Sequence, residues 1–128
     1  MPLERIQPQG LTTWPRLPPV IRAGDLVFLA GQTALDEHGQ VVDCGDIVAQ
    51  VTQVFENLKT ALAAAGGDFS QLARIAVYLT DASFRQTIVD VAGSYFPSQA
   101  RPTSSFVVVA GLAWPELLVE IDEIAILN

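Results

Sequence analysis

The residues best suited to chemistry in this chain are three carboxylates near its C-terminus, Glu120, Asp122 and Glu123. They interrupt residues 117–127, an otherwise apolar segment that is typical of a β-strand. Because successive side chains of a strand point to opposite faces, Glu120 and Asp122 are predicted to share one face. Two interpretations remain open. The carboxylates belong to a solvated strand face, or they lie in a cleft and orient water or a substrate amine.

The other reactive side chains lack the partners that familiar mechanisms require. His38, the single histidine, lies in a turn sequence with no second His or Cys at ligand spacing, so no metal site is expected. Cys44, the single cysteine, is interpreted as a buried or half-buried thiol, with a Cys44–His38 nucleophile pair as the open alternative. Nucleophile-elbow, dinucleotide-binding and P-loop motifs are absent, and no cofactor is predicted. Carboxylate acid–base chemistry, or binding without chemistry, remains.

Length and composition predict one small domain that contacts another subunit. The 128 residues fit a single domain, over 1–128, and leave no room for two. Half of the residues are hydrophobic and only 16% are charged, against about 25% in an average domain. So few charges do not cover the large relative surface of a small domain. We therefore expect part of the apolar surface to meet another copy.

The charge balance argues against nucleic acid as a partner. Asp and Glu outnumber Lys and Arg by 14 to 7, for a net charge of −7, and a surface of that sign repels phosphate backbones. No uncharged apolar run is long enough to span a membrane, and the first residues do not resemble a signal peptide. With one cysteine and hence no internal disulfide, a cytoplasmic location is predicted.

Turn signals and periodicity predict the elements that position these residues. Apolar runs at 20–23 and 26–30 flank Gly24-Asp25 and predict a hairpin. An apolar stripe with steps of three and four, which starts at Val48, predicts a helix over 46–65 that begins at Asp46 and ends at Gly66. Alternation predicts a strand over 72–79.

The second half continues the alternation of helices and strands. Capping residues before residue 83 predict a helix over 83–95 that Pro97 stops. A nearly continuous apolar run predicts a strand over 105–109 that is buried on both faces. The resulting α+β arrangement is one mixed sheet with two helices on one face. Since no third helix covers the other face, that face is expected at a subunit contact.

Several segments, in this order and spacing, resemble the RidA/YjgF family of small trimeric proteins. The resemblance extends over residues 17–126. Its landmarks are residues 26–32, 53–59, 64–66, 77–81, 95–97, 101–102 and 119–126. It implies a chorismate-mutase-like fold and a homotrimer with a small-molecule cleft at each subunit interface. It also implies hydrolysis of reactive enamines and imines.

The resemblance places the family's water-positioning glutamate at Glu120. The family's carboxylate-binding arginine falls on Ser104, whose hydroxyl cannot form two charge-assisted bonds. Such a loss costs about 2–5 kcal/mol of substrate binding. Arg101 is a candidate replacement, although it lies three residues earlier, before a proline, so its side chain is expected to leave from a different point and face. The other predicted substrate-binding positions are Leu17, Ala30, Gly31, Val89, Ser105 and Phe106, of which Leu17, Ala30, Val89 and Phe106 replace family Tyr, Ser, Asn and Cys.

Two functional interpretations follow from this departure. The first is a divergent hydrolase or deaminase in which Glu120 orients water against an imine or enamine C–N bond. The second is a non-catalytic trimer that binds a small metabolite. Ordinary 2-iminobutanoate deaminase activity is doubtful because Ser104 replaces the arginine, and the more apolar pocket favours a larger or less charged ligand. Nucleolytic activity is disfavoured by the acidic charge and the missing nucleophile–base pair.

Overall fold

The computed structural model describes residues 2–128, in which six strands form one mixed sheet. The strand order is β1-β2-β3-β6-β4-β5, and only the β4–β5 pair is parallel. Strand and helix bounds are β1 Glu4–Ile6, β2 Val20–Ala23, β3 Leu26–Thr33, α1 Ile47–Ala64, β4 Leu72–Leu79, α2 Arg85–Ala92, β5 Thr103–Val108 and β6 Val119–Ile126.

The predicted hairpin is present as β2 and β3, joined by Gly24 at φ +63°. This left-handed conformation is one that glycine adopts without strain. The sequence did not predict β1, which pairs antiparallel with β2. Two exposed charged residues and the half-buried Ile6 are too short a run to carry a periodic signal, so this strand is defined by its pairing with β2.

Helix α1 follows the prediction closely. The Asp46 side chain accepts a 3.1 Å hydrogen bond from the Ala49 N–H, and Gly66 at φ +88° follows the last turn. The apolar stripe from Val51 to Leu62 is buried against the sheet, but Val48, which was placed on the same stripe, is 52% exposed.

Helix α2 is shorter than predicted. It begins at Arg85, after a single 3₁₀ turn over Ala82–Phe84, and it ends before Gly93 instead of at Pro97. The reason lies in the aromatic core, because Tyr95 stacks on Phe55 with ring centroids 5.0 Å apart. After Ala92 the chain continues in tight turns, in which the Tyr95 and Phe96 N–H groups donate to the Ala92 carbonyl.

The prediction that the fifth strand is buried on both faces is wrong for the single chain. Strand β5 pairs only with β4 and forms the edge of the sheet, where most of its residues are exposed. An apolar run does not distinguish a central strand from an edge strand that lacks a neighbour.

The sheet has one covered and one open face, as predicted for this α+β arrangement. Both helices pack on the face that carries the buried residues of β3, β4 and β6. No helix of residues 2–128 covers the other face, where Phe28 is 45% exposed and Ile126 is 41% exposed.

Candidate functional site

Strand β6 places Glu120 and Asp122 on the open face of the sheet. Both are half-buried and alternate with Val119 and Ile121, which are fully buried on the helix side. The predicted shared face of the two carboxylates is therefore confirmed. Glu120 lies directly opposite Tyr78 on β4 in the strand register.

A β-bulge in β3 makes room for these carboxylates. The register between β3 and β6 shifts between Leu29 and Gln32, so that Ala30 and Gly31 together oppose Asp122. A Cβ at Gly31 would collide with the Glu120 carboxylate and lie 2.6 Å from Asp122 Oδ1. Glycine is required here for the close approach of side chains, since its backbone is not left-handed.

The environment changes the proton affinity of this cluster. Burial raises the pKa of Glu120, and the neighbouring charge of Asp122 raises it further. The Tyr78 hydroxyl donates a 3.0 Å hydrogen bond to Asp122 Oδ2, and this bond raises the pKa of Tyr78. A glutamate with a raised pKa can accept and return a proton nearer neutral pH.

Glu123 points to the opposite face and has a different environment. Its side chain is 2% exposed, between the buried residues Leu29 and Ile75 on the adjacent strands. Both carboxyl oxygens are buried without a hydrogen-bond partner. Burial, followed by the charges of Asp122 and Glu120, raises the pKa of Glu123 well above its ordinary value. The burial of Glu123 could have been predicted from the sequence, because in the alternation of β6 it falls on the same side as the apolar residues Val119 and Ile121.

Leu17, Ala30 and Gly31, three of the predicted binding residues, line one cavity of about 300 Å³. The cavity lies between the proline-rich segment before β2 and the bulge of β3. Its walls are mostly apolar and include Trp14, which packs on Trp114 with ring centroids 5.5 Å apart. Glu120 does not itself line this cavity, but its carboxylate lies close to Gly31, which does.

Val89, Arg101, Ser104 and Phe106 line a second cavity of about 110 Å³. Arg101 and Ser104 thus line the same cavity, although Arg101 lies three residues earlier in the chain. A further cation, missed in the sequence, is Arg85, whose guanidinium carbon lies 5.2 Å from the centroid of the Phe106 ring.

Ser105 lies apart from both cavities. It alternates with Ser104 along β5 and faces the open side, where its hydroxyl is 3.5 Å from the guanidinium nitrogens of Arg74. The predicted site residues thus occupy separate regions of one chain. Strands β3 and β5 are separated by β6 and β4, three steps of about 4.8 Å each, which is roughly 14 Å.

The other reactive residues lie at the surface. His38 is exposed, with its Nε2 atom 3.6 Å from Glu37. The interpretation of Cys44 as a buried or half-buried thiol is wrong, because Cys44 is exposed. Residues 2–128 contain no group of three or more His, Cys, Asp or Glu side chains arranged to hold a metal ion. None of their helices combines the length and apolar character needed to cross a membrane.

Known proteins resemble this chain along nearly its whole length. Residues 11–127 match the family model described as Endoribonuclease L-PSP. The chain is 36% identical over 127 residues to the 3-aminoacrylate deaminase RutC of Acinetobacter baylyi, with 98% of each chain covered. The chain belongs to the RidA/YjgF family.

Two further similarities agree with this assignment to the RidA/YjgF family. Protein DfrA of Myxococcus xanthus is 42% identical over 106 residues, which cover 83% of this chain and 79% of DfrA. The crystal structure of RidA from Psychrobacter sp. PAMC 21119 superposes with a TM-score of 0.88 at 28% identity, covering 97% of this chain and 99% of that one. The predicted family and fold are therefore confirmed.

Proposed function

We propose that this RidA/YjgF-family protein is a divergent deaminase that hydrolyses the C–N bond of small imines or enamines. The observation that carries the proposal is the closeness of the half-buried Glu120 carboxylate to Gly31, a residue that lines an apolar cavity. The relative named 3-aminoacrylate deaminase acts on an enamine, which supports the same class of substrate here.

In the proposed reaction, Glu120 holds a water molecule against the imine carbon. Its carboxylate takes a proton from the water as the oxygen bonds to carbon, and returns it to the nitrogen, which gives a carbinolamine. It then takes the proton of the new hydroxyl and passes it to the nitrogen as the C–N bond breaks, so that ammonia leaves and the carbon becomes a carbonyl. The raised pKa of Glu120 suits this exchange, because proton transfer is most efficient when the pKa of the group is close to the working pH.

The cleft is proposed to form between subunits of a homotrimer. The cavity beside Glu120 and the cavity that contains Ser104 and Arg101 lie on strands roughly 14 Å apart, measured as three interstrand steps. A neighbouring copy packed on the open face of the sheet would bring its second cavity to the first. The apolar residues exposed on that face, such as Phe28, support this assembly.

Substrate binding is assigned to the two cavities. Leu17, Ala30 and Gly31 form the first half, and Val89, Ser104 and Phe106 form the second. Arg101 supplies the positive charge that Ser104 lacks, and Ser105 is proposed to contact the ligand from the open face. A cytoplasmic location remains a prediction that rests on the single cysteine.

A non-catalytic, metabolite-binding trimer is the second candidate. It is favoured by the apolar residues Leu17, Ala30, Val89 and Phe106 at the predicted binding positions, and by Ser104 in place of the family's arginine. A site of this kind holds a ligand by its apolar part and gives no bidentate grip on a carboxylate.

The two candidates are separated by following imine decay. An amino acid oxidase generates the imine in the presence of the protein, and semicarbazide traps what remains. A deaminase lowers the trapped amount relative to buffer, and Glu120→Gln removes this effect. Decay at the buffer rate with wild-type protein would refute the deaminase and leave the binding trimer, which calorimetry with the corresponding 2-oxo acid then tests.

A further inference from the structure

A second carboxylate stands beside Glu120 in an orientation set by a tyrosine. Asp122 Oδ2 accepts the 3.0 Å hydrogen bond from the Tyr78 hydroxyl, while Oδ1 points toward Gly31. The Glu120 carboxylate approaches the same point above Gly31 from its own position on β6. The two carboxylates therefore converge on the bulge of β3, and Tyr78 limits the rotation of one of them.

No lysine or arginine of residues 2–128 forms an ion pair with either carboxylate. The arginine nearest in the sheet, Arg74, directs its guanidinium to within 3.5 Å of the Ser105 hydroxyl and forms no ion pair with a carboxylate within residues 2–128. Strand β3 contributes no charged side chain to this face. The titratable and charged groups facing Glu120 from the strands packed beside it are Asp122, Tyr78 and Arg74, with Glu123 on the opposite face of β6.

We propose that Asp122, held by Tyr78, is a positioning residue that keeps Glu120 able to take up and return a proton during the reaction. This inference rests on the proposed function and deepens it. A fixed negative charge next to a half-buried carboxyl disfavours a second negative charge. The hydrogen bond from Tyr78 fixes the position of the Asp122 carboxylate beside Glu120.

This arrangement gives the carboxylates of Glu120 and Asp122 different roles in the proposed reaction. Asp122, whose Oδ2 accepts the hydrogen bond from Tyr78, is given the positioning role. Glu120, beside Gly31 at the bulge, is given the role of carrying the mobile proton from the water to the leaving nitrogen. Two carboxyl groups with different environments on one strand are thereby given different roles, a pattern known from other acid–base sites.

The test measures the titration of Glu120 directly. Protein labelled with ¹³C at the glutamate side-chain carboxyl carbons is titrated by NMR, and the Glu120 signal is identified by its loss in Glu120→Gln. Asp122→Asn and Tyr78→Phe are compared with wild type. Asp90→Asn, which removes an exposed carboxylate on α2, is the matched control.

We expect the Glu120 midpoint to move to lower pH in Asp122→Asn and to stay at the wild-type pH in the control. Tyr78→Phe keeps the Asp122 carboxylate but frees it to rotate away from Glu120, so the Glu120 midpoint should fall by less than in Asp122→Asn. An unchanged Glu120 midpoint in Asp122→Asn would overturn the inference. An equal fall in Asp122→Asn and Tyr78→Phe would overturn it too, because it would indicate a general loosening of the site.

A second readout connects the titration to catalysis. The acidic limb of the pH–rate profile for imine hydrolysis should move with the NMR midpoint, while the apparent KM changes little. If wild type does not accelerate hydrolysis at all, the proposed function fails. The NMR midpoints would still decide whether Asp122 controls the proton on Glu120, so the two failures are distinguishable.

Discussion

The carboxylate of Glu120 occupies the space that a side chain at Gly31 would need. This contact joins β6 to the bulge of β3 and sets the distance between the carboxylate and the first cavity. It also explains why the smallest residue stands at this position, although its backbone is not left-handed.

Replacing Gly31 with alanine is expected to displace the ends of Glu120 and Asp122 and leave the fold intact, because both are flexible side chains. A misplacement of about 1 Å costs on the order of a hundredfold in rate. Imine hydrolysis is the measurement, with the melting temperature as the check on folding. Gly111→Ala is the matched control, since a Cβ there meets nothing within 4 Å. Full activity in Gly31→Ala would contradict this account of the site.

The buried carboxyl of Glu123 predicts a pH-dependent stability. Its pKa is raised in the folded state by burial, so the native protein binds a proton more tightly than the unfolded chain does. The stabilisation is complete below the unfolded glutamate pKa and is lost as the pH rises toward the folded pKa. In that window wild type loses up to about 1.4 kcal/mol per pH unit relative to Glu123→Gln.

Urea unfolding at several pH values and one protein concentration measures this difference. Glu4→Gln, at an exposed position on β1, is the control and should follow wild type. Parallel stability curves for wild type and Glu123→Gln between acid and neutral pH would show that Glu123 does not titrate in this way.

The second cavity predicts a role for arginine in anion binding. Arg101 and Ser104 share this cavity, and Arg85 lies over the Phe106 ring at its wall. Arg101→Gln should weaken binding of 4-methyl-2-oxopentanoate at least about tenfold, since it removes one partner of a charge pair. Calorimetry measures the affinity, and Arg5→Gln supplies an equal change of net charge on exposed β1. An affinity that falls equally in both variants would point to net charge instead of a local contact.

The exposed apolar residues on the open face of the sheet lead us to predict a trimer. A single charge placed on that face should dissociate it. Light scattering should give three times the 13.7 kDa chain mass for wild type. Phe28→Asp, on the open face, should give the mass of one chain, because a buried unpaired carboxylate is costly. Val48→Asp, on the exposed side of α1, replaces an equally exposed apolar residue and should remain trimeric. A monomeric wild type, or a trimeric Phe28→Asp, would contradict the assembly.

The elements with the clearest local signals were predicted from the sequence. The bounds of β4 agree at both ends, and α1 lies within one residue of its prediction, because alternation and capping are properties of neighbouring residues. Helix α2 and strand β1 were less accurate. Tyr95 ends α2 early through a contact with Phe55, and β1 exists through its pairing with β2. Both depend on residues distant in the chain.

By itself, the sequence determined the α+β class, the family and the choice of Glu120 with Asp122 on one face of the last strand. These follow from periodicity and from the order of short motifs, which the chain carries locally. The tertiary structure decided the contact between Glu120 and Gly31, the burial of Glu123 and the division of the binding residues between two cavities. Each of these depends on strand order, register and a bulge, which bring together residues that lie far apart in the chain.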